Sequence, residues 1–139
     1  MEVRREKEMW LVRLEKGEKV KETLAEFARE HYVKGAKLSA IGAVDWAELA
    51  YFDEEKQAYE NKTFSGGLEV LNLAGNISWV DDETPMVHLH ATLGKEDYNV
   101  VGGHLNEALV SVTIEAFVLQ TEAISRQVPF GPFKLWHLG

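Results

Sequence analysis

The chain has no cysteine. Disulfides, thiolate metal sites and thiol catalysis are excluded with it, so a metal centre here can draw only on histidine, carboxylate or water. No apolar run approaches the ~20 residues that a membrane-spanning helix needs. The opening MEVRREKEMW is charged and lacks the apolar stretch of a secretory signal, so the expectation is a soluble, cytoplasmic protein. Low-complexity tracts, repeats and linkers are missing too, which leaves residues 1–139 as one domain.

Basic charge is scarce beyond the first quarter of the chain. Residues 1–35 hold nine Lys/Arg and eight Asp/Glu, whereas residues 36–139 hold six basic groups against fifteen acidic ones. The formal net charge is −8. Neutralising nucleic-acid phosphates requires clustered Lys and Arg, and nothing of that kind follows residue 34. The early basic residues alternate with glutamates and read as a solvated surface. Direct nucleic-acid binding is disfavoured on charge.

What is present is an ordinary globular composition, 45% hydrophobic and 27% charged, in a chain of 139 residues, long enough to bury a core without covalent staples. Trp10–Leu14 (WLVRL) reads as a strand and EKGEK as the turn after it. From Lys19 to about His31, Val20, Leu24, Phe27, Ala28 and His31 recur at helical spacing, and Gly35 suits a C-terminal cap. After this helix come β-like runs: AKLSAIGAV, WAELAYFD, QAYENKTFS, LEVLNLAGNIS, PMVHLHATLG and LVSVTIEAFVLQ. DEEK, SGG, DDETP and GKEDYN separate them as turns, and Asn106–Leu109 has weak helical character. One amphipathic helix with many antiparallel strands argues an α+β domain with a single main sheet. In the last run, Val110, Val112, Ile114, Ala116 and Val118 share an apolar face. The other face (Ser111, Thr113, Glu115, Phe117, Leu119) is mixed, as expected of a central strand or one covered by another subunit. The aromatic tail VPFGPFKLWHLG is expected to lie against the fold or a neighbour.

Three of the five histidines fall within Met86–Leu105, MVHLHATLGKEDYNVVGGHL. On a strand, residues two apart point the same way, roughly 6.5–7 Å apart at Cα. Met86, His88, His90 and Thr92 therefore share one face, and Val87, Leu89, Ala91 and Leu93 form a core face opposite. Two imidazoles side by side can converge on one ion at ~2.0–2.1 Å. GKEDYNVVGG is long enough to bring His104 back beside them, with Gly102 and Gly103 allowing close backbone approach. Three histidines with a fourth position open to water is the donor set of catalytic zinc sites; zinc fits best, and nickel, copper or iron also accept imidazole. The competing reading is three histidines on a polar sheet face serving as ordinary hydrogen-bonding groups. Candidates to support the ligands are Glu115, Glu69 and Arg126. Glu115 either orients an imidazole, pairs with Arg126 or faces solvent, and Glu69 has the same ambiguity. His31 reads as a packed residue at the helix end, and His137 has no evident company.

These residues carry a resemblance. LNLAGNIS, VHLHATL, VVGGHL, SVTIEAFV and Arg126, in that order and spacing, resemble the plant-and-prokaryote conserved (PPC) domain family. VRLEKGEKVKETLAEFA and AKLSAIGAVDWAEL resemble its opening strand, helix and second strand, so the resemblance runs over about residues 9 to 135. It implies an antiparallel sheet with one main helix, assembled as a homotrimer, and a metal site on His88, His90 and His104. Plant members carry an AT-hook that contacts the minor groove, and prokaryotic members are commonly called DNA-binding by that association. This chain has no Arg-Gly-Arg-Pro hook. Where plants have the partner-contact motif Gly-Arg-Phe-Glu-Ile-Leu, it has Gly66, Gly67, Leu68, Glu69, Val70, Leu71. The plant DNA and partner functions therefore do not transfer.

Three readings of function remain in contention: a trimeric metal-binding module without turnover, a hydrolase or lyase using metal-activated water, and a DNA-associated protein. The hydrolase needs a general acid/base, for which Glu115 or Glu69 would have to serve. DNA association would show as binding that vanishes steeply with salt.

Overall fold

Alternation of apolar and polar residues sets most of the architecture, which a computed structural model describes over all of residues 1–139. Strands β1 (Glu2–Glu6) and β2 (Met9–Glu15) form a hairpin, and helix α1 (Val20–Glu30) follows. The body of the sheet is β3 (Ala36–Asp53), β4 (Ala58–Trp79), β5 (Pro85–Gly94) and β6 (Val100–Gln120), with β7 (Ser125–Phe130) and β8 (Phe133–His137) as a terminal hairpin. The sheet order is β1-β2-β6-β3-β4-β7-β8, and β5 lies off this path, paired with both β4 and β6. Because β3 also pairs with β4 and β6, the strands β3 to β6 close into a ring of antiparallel ladders. Only β4 and β7 pair in parallel, at Trp79 and Ser125. No helix is long and apolar enough to cross a membrane.

Helix α1 buries Val20, Leu24, Phe27 and Ala28 on one face. Phe27 is fully buried and meets the Trp10 ring edge-on at 5.5 Å, a burial that contributes on the order of 1.5–3 kcal/mol. The cap residue Lys19 contributes no side-chain bond. Instead the Glu107 carboxylate on β6 accepts from the amides of Lys21 (2.8 Å) and Glu22 (3.2 Å) and caps the helix from across the fold. At the other end Tyr32, not Gly35, takes the left-handed conformation (φ 53°). Gly35 answers a packing need: a Cβ there would sit 2.1 Å from the Glu122 carbonyl oxygen.

Several sequence expectations are corrected. SGG is not a turn between two strands; β4 runs through it without ending, and Gly66 and Gly67 absorb positive φ (92° and 85°) within the strand. Likewise AKLSAIGAV and WAELAYFD are one strand, β3. Asn106–Leu109 is strand, not helix. Val112 leaves the core face of β6 and is 71% exposed, at the point where the β3–β6 register slips between the pairs Gly42–Ile114 and Val44–Val110.

Candidate metal centre

Strand β5 alternates as its sequence implies. Val87, Leu89, Ala91 and Leu93 are buried, while His88 and His90 project from the opposite face. A turn at Lys95–Asn99, closed by hydrogen bonds from Tyr98 N to Lys95 O and Lys95 N to Asn99 O, returns the chain as β6. In the resulting ladder His104 lies directly across from His90, with Ala91 across from Gly103. On its other edge His104 pairs with Ala50 of β3, and a Cβ at Gly103 would stand 3.0 Å from the Ala50 carbonyl oxygen. Glycine there lets β6 fit between β3 and β5.

The three rings meet where the ladders close. Ring centroids are 5.2 Å apart for His88–His90, 5.2 Å for His88–His104 and 5.6 Å for His90–His104. One nitrogen from each lies within 4.8 Å of the others. Two nitrogens bound to one ion at ~2.0–2.1 Å are at most ~4.2 Å apart, so modest side-chain rotation closes the set onto a metal. His104 Nδ1 is buried and has no hydrogen-bond partner. An orphaned buried polar atom of this kind is costly in a folded protein.

Burial and neighbouring charge keep His88 and His104 neutral. Burial, reinforced by Arg126, His90 and Lys21, pushes His88 down to about 4. Burial together with Lys21, His88 and His90 pushes His104 down to about 4 as well. Metal ligation needs unprotonated imidazole, and both rings are in that form at neutral pH.

Arg126, one of the three candidates for supporting the ligands, lies beside His88. It is 7% exposed and donates from Nε to Ser78 Oγ (2.7 Å), from Nη1 to Lys134 O (3.2 Å) and from Nη2 to Asn76 Oδ1 (3.2 Å). Nη2 also lies 3.3 Å from His88 Nδ1. A guanidinium only donates, so the role of His88 Nδ1 in this contact follows from the ring's tautomer. On another side the Tyr59 ring stacks on His104 (4.9 Å, 23°), backed by Phe52 and Phe133.

The two carboxylates are not brought to the triad. Glu115 is exposed, opposite Arg13 and Ile41 far along β6; the solvent-facing alternative is the one it adopts. Glu69 is exposed, opposite Ala43 and Gly94. No acid/base carboxylate therefore accompanies the imidazoles from either position. His31 packs on Trp10 and Phe27 (4.7 and 5.2 Å), and His137 pairs across from Ser125. Sequence reasoning missed Lys21, Asn76, Ser78 and Tyr59. Asn76 and Ser78 flank Ile77 in strand alternation within LNLAGNIS, a polar face that could have been read; Lys21 and Tyr59 reach the site only through the long-range register.

A small α+β domain whose antiparallel ladders close around a three-histidine cluster is the class of protein these features define. The chain belongs to the Plants and Prokaryotes Conserved (PCC) domain family, whose sequence profile matches residues 1–122. Among solved structures it is similar to a metal-containing protein from Archaeoglobus fulgidus, at 37% identity over 99% of this chain and 96% of that one, with a TM-score of 0.84. It is also similar to a plant- and prokaryote-conserved (PPC) protein from Pyrococcus horikoshii (32% identity, 99% and 94% covered, TM-score 0.85). A candidate DNA-binding protein from Bacteroides thetaiotaomicron superposes with a TM-score of 0.91 at 28% identity, over 98% of this chain and 96% of that one. Comparison with curated proteins gives no match.

Proposed function

We propose that this protein is a homotrimeric metal-binding module that holds one divalent ion per chain, zinc fitting best, on His88, His90 and His104. The observation that carries the reading is the convergence of three imidazoles, one with a buried and unpartnered nitrogen. The Archaeoglobus relative, described as metal-containing, supports it. Zinc held by three histidines would have a fourth position open and would lower the pKa of water bound there. The residues around it hold and orient: Arg126 braces His88, Tyr59 fixes the plane of His104, and Glu107 anchors α1 on β6. With Glu69 and Glu115 remote, binding is better supported than hydrolysis.

Self-association is supported by an unusual outer face. Ile41, Leu71, Val112 and Phe117 are 50–71% exposed on the adjoining strands β3, β4 and β6. Apolar side chains of this size on neighbouring strands gain by being covered, and a three-fold ring closes without leaving a free face.

A second reading, association with DNA, draws on the Bacteroides relative's description. The excess of fifteen acidic over six basic groups in residues 36–139 opposes it. Elemental analysis of protein purified without a histidine tag tests the first reading. One equivalent of metal per chain, lost in His88→Ala, is the expected result; a variant that keeps its metal would remove His88 from the site.

A further inference from the structure

Two cations act on the triad, Arg126 in contact with His88 and Lys21 from the start of α1. The ionic neighbours acting on His88 and His104 are Arg126 and Lys21, and no carboxylate is among them. Arg126 is 7% exposed, yet its partners are a hydroxyl, an amide oxygen, a carbonyl and an imidazole, all uncharged. Lys21 is half-buried at the start of α1 and has Glu107 as its acidic neighbour, whose oxygens also accept from the amides of Lys21, Glu22 and Ala108. A buried cation with no carboxylate partner is costly, and Arg126 stands in that position in a protein whose net charge is −8.

The contact between Arg126 and His88 sharpens the point. For His88 to offer a lone pair from Nε2, its ring proton must sit on Nδ1. Nη2–H and Nδ1–H then face each other across 3.3 Å with no acceptor between them. If Nδ1 is the donor atom instead, the guanidinium lies beside the ligating nitrogen and its charge is still unmatched. Either way the guanidinium charge is unmatched, and an anionic acceptor at the mouth of the triad would pair it.

We propose that the histidine triad takes a small oxyanion, a carboxylate or phosphate group, with Arg126 and Lys21 as its charge partners. This rests on the metal reading above in that the anion would occupy the open position of the centre. His90 is exposed, so the ligand reaches the site from solvent without a lid having to open. Arg126 and Lys21 are binding residues here; the proposal involves no bond-breaking step.

The test is titration of zinc-loaded and of chelator-treated protein with acetate, inorganic phosphate and, as the uncharged control, acetamide. Heat of binding and the histidine ring C–H resonances are recorded, and metal content is determined in parallel. Zinc-loaded protein is expected to bind at least one of the two anions, and which one binds identifies the source. Acetamide should not bind. Lys21→Gln should weaken the anion at least fivefold with metal content unchanged; Arg126→Gln should weaken it at least as much, and Arg126→Lys should recover part of that loss. Since Arg126→Gln removes buried hydrogen bonds, Lys21→Gln decides the matter if the former does not fold. Acetamide binding as well as acetate, or anion affinity unaltered in Lys21→Gln, would overturn the proposal, as would silence from both anions. Should the protein take up no zinc while the ring resonances still move with anion, the metal reading falls and the anion site stands.

Discussion

His90 and His104 stand directly opposite each other in the β5–β6 ladder, with ring centroids 5.6 Å apart. Cross-strand neighbours on one face of an antiparallel pair are held at contact distance by the backbone itself. His88 joins them because residues two apart share a face. The geometry of the cluster thus follows from register, and register follows from the buried faces of β5 and β6.

The neutral state of the buried rings predicts a pH dependence. In the metal-free protein His88 and His104 titrate at about 4, below the ordinary value of 6.5 that they regain on unfolding. Between these limits the unfolded chain binds more protons, so stability is full above about pH 7 and falls as pH drops from 6.5 towards 4. Allowing for solvent screening at a half-buried site, the loss is about 1–2 kcal/mol per ring. Denaturant unfolding of the metal-free protein against a His88→Gln/His104→Gln variant isolates this contribution from that of the carboxylates. Equal pH slopes in the two proteins would contradict it.

Glu107 links the helix to the strand that carries His104. Glu107→Ala removes the acceptor of the Lys21 and Glu22 amides and is expected to cost about 1–2 kcal/mol. Urea unfolding at pH 7 measures it. A loss below a few tenths of a kcal/mol would mean that water replaces the carboxylate at the helix start.

The exposed apolar face makes a prediction about assembly. Val112 is 71% exposed and Phe117 57% exposed, so Val112→Asp or Phe117→Glu should leave the fold intact and convert the protein to monomers. Sedimentation equilibrium at micromolar concentration gives the mass. An unmutated protein that is already monomeric would contradict the trimer.

The α+β class, the amphipathic helix and the two faces of β5 were legible in the sequence, because each is a local periodicity. The triad was legible for the same reason: His88-Leu89-His90 encodes a shared face, and the Gly102–Gly103 pair marks the close approach that brings His104 alongside. Features fixed by distant pairing were not. SGG carries every local mark of a turn, yet pairing with β3 on both sides of it keeps β4 a single strand. Val112 fits the apolar alternation of β6, yet it is exposed at the point where the register slips against β3. Glu115, isolated among apolar neighbours, drew attention as a candidate that its solvent-facing position does not support. Lys21 and Tyr59 are far from the histidines in sequence, and no local pattern announces that the helix start and the β3–β4 hairpin border the site.

Crystals grown with zinc and measured on both sides of the zinc absorption edge test the central claim most directly. The account predicts one strong anomalous peak per chain, within bonding distance of a nitrogen from each of His88, His90 and His104. A map with no peak there, or with zinc only at other sites, would contradict it.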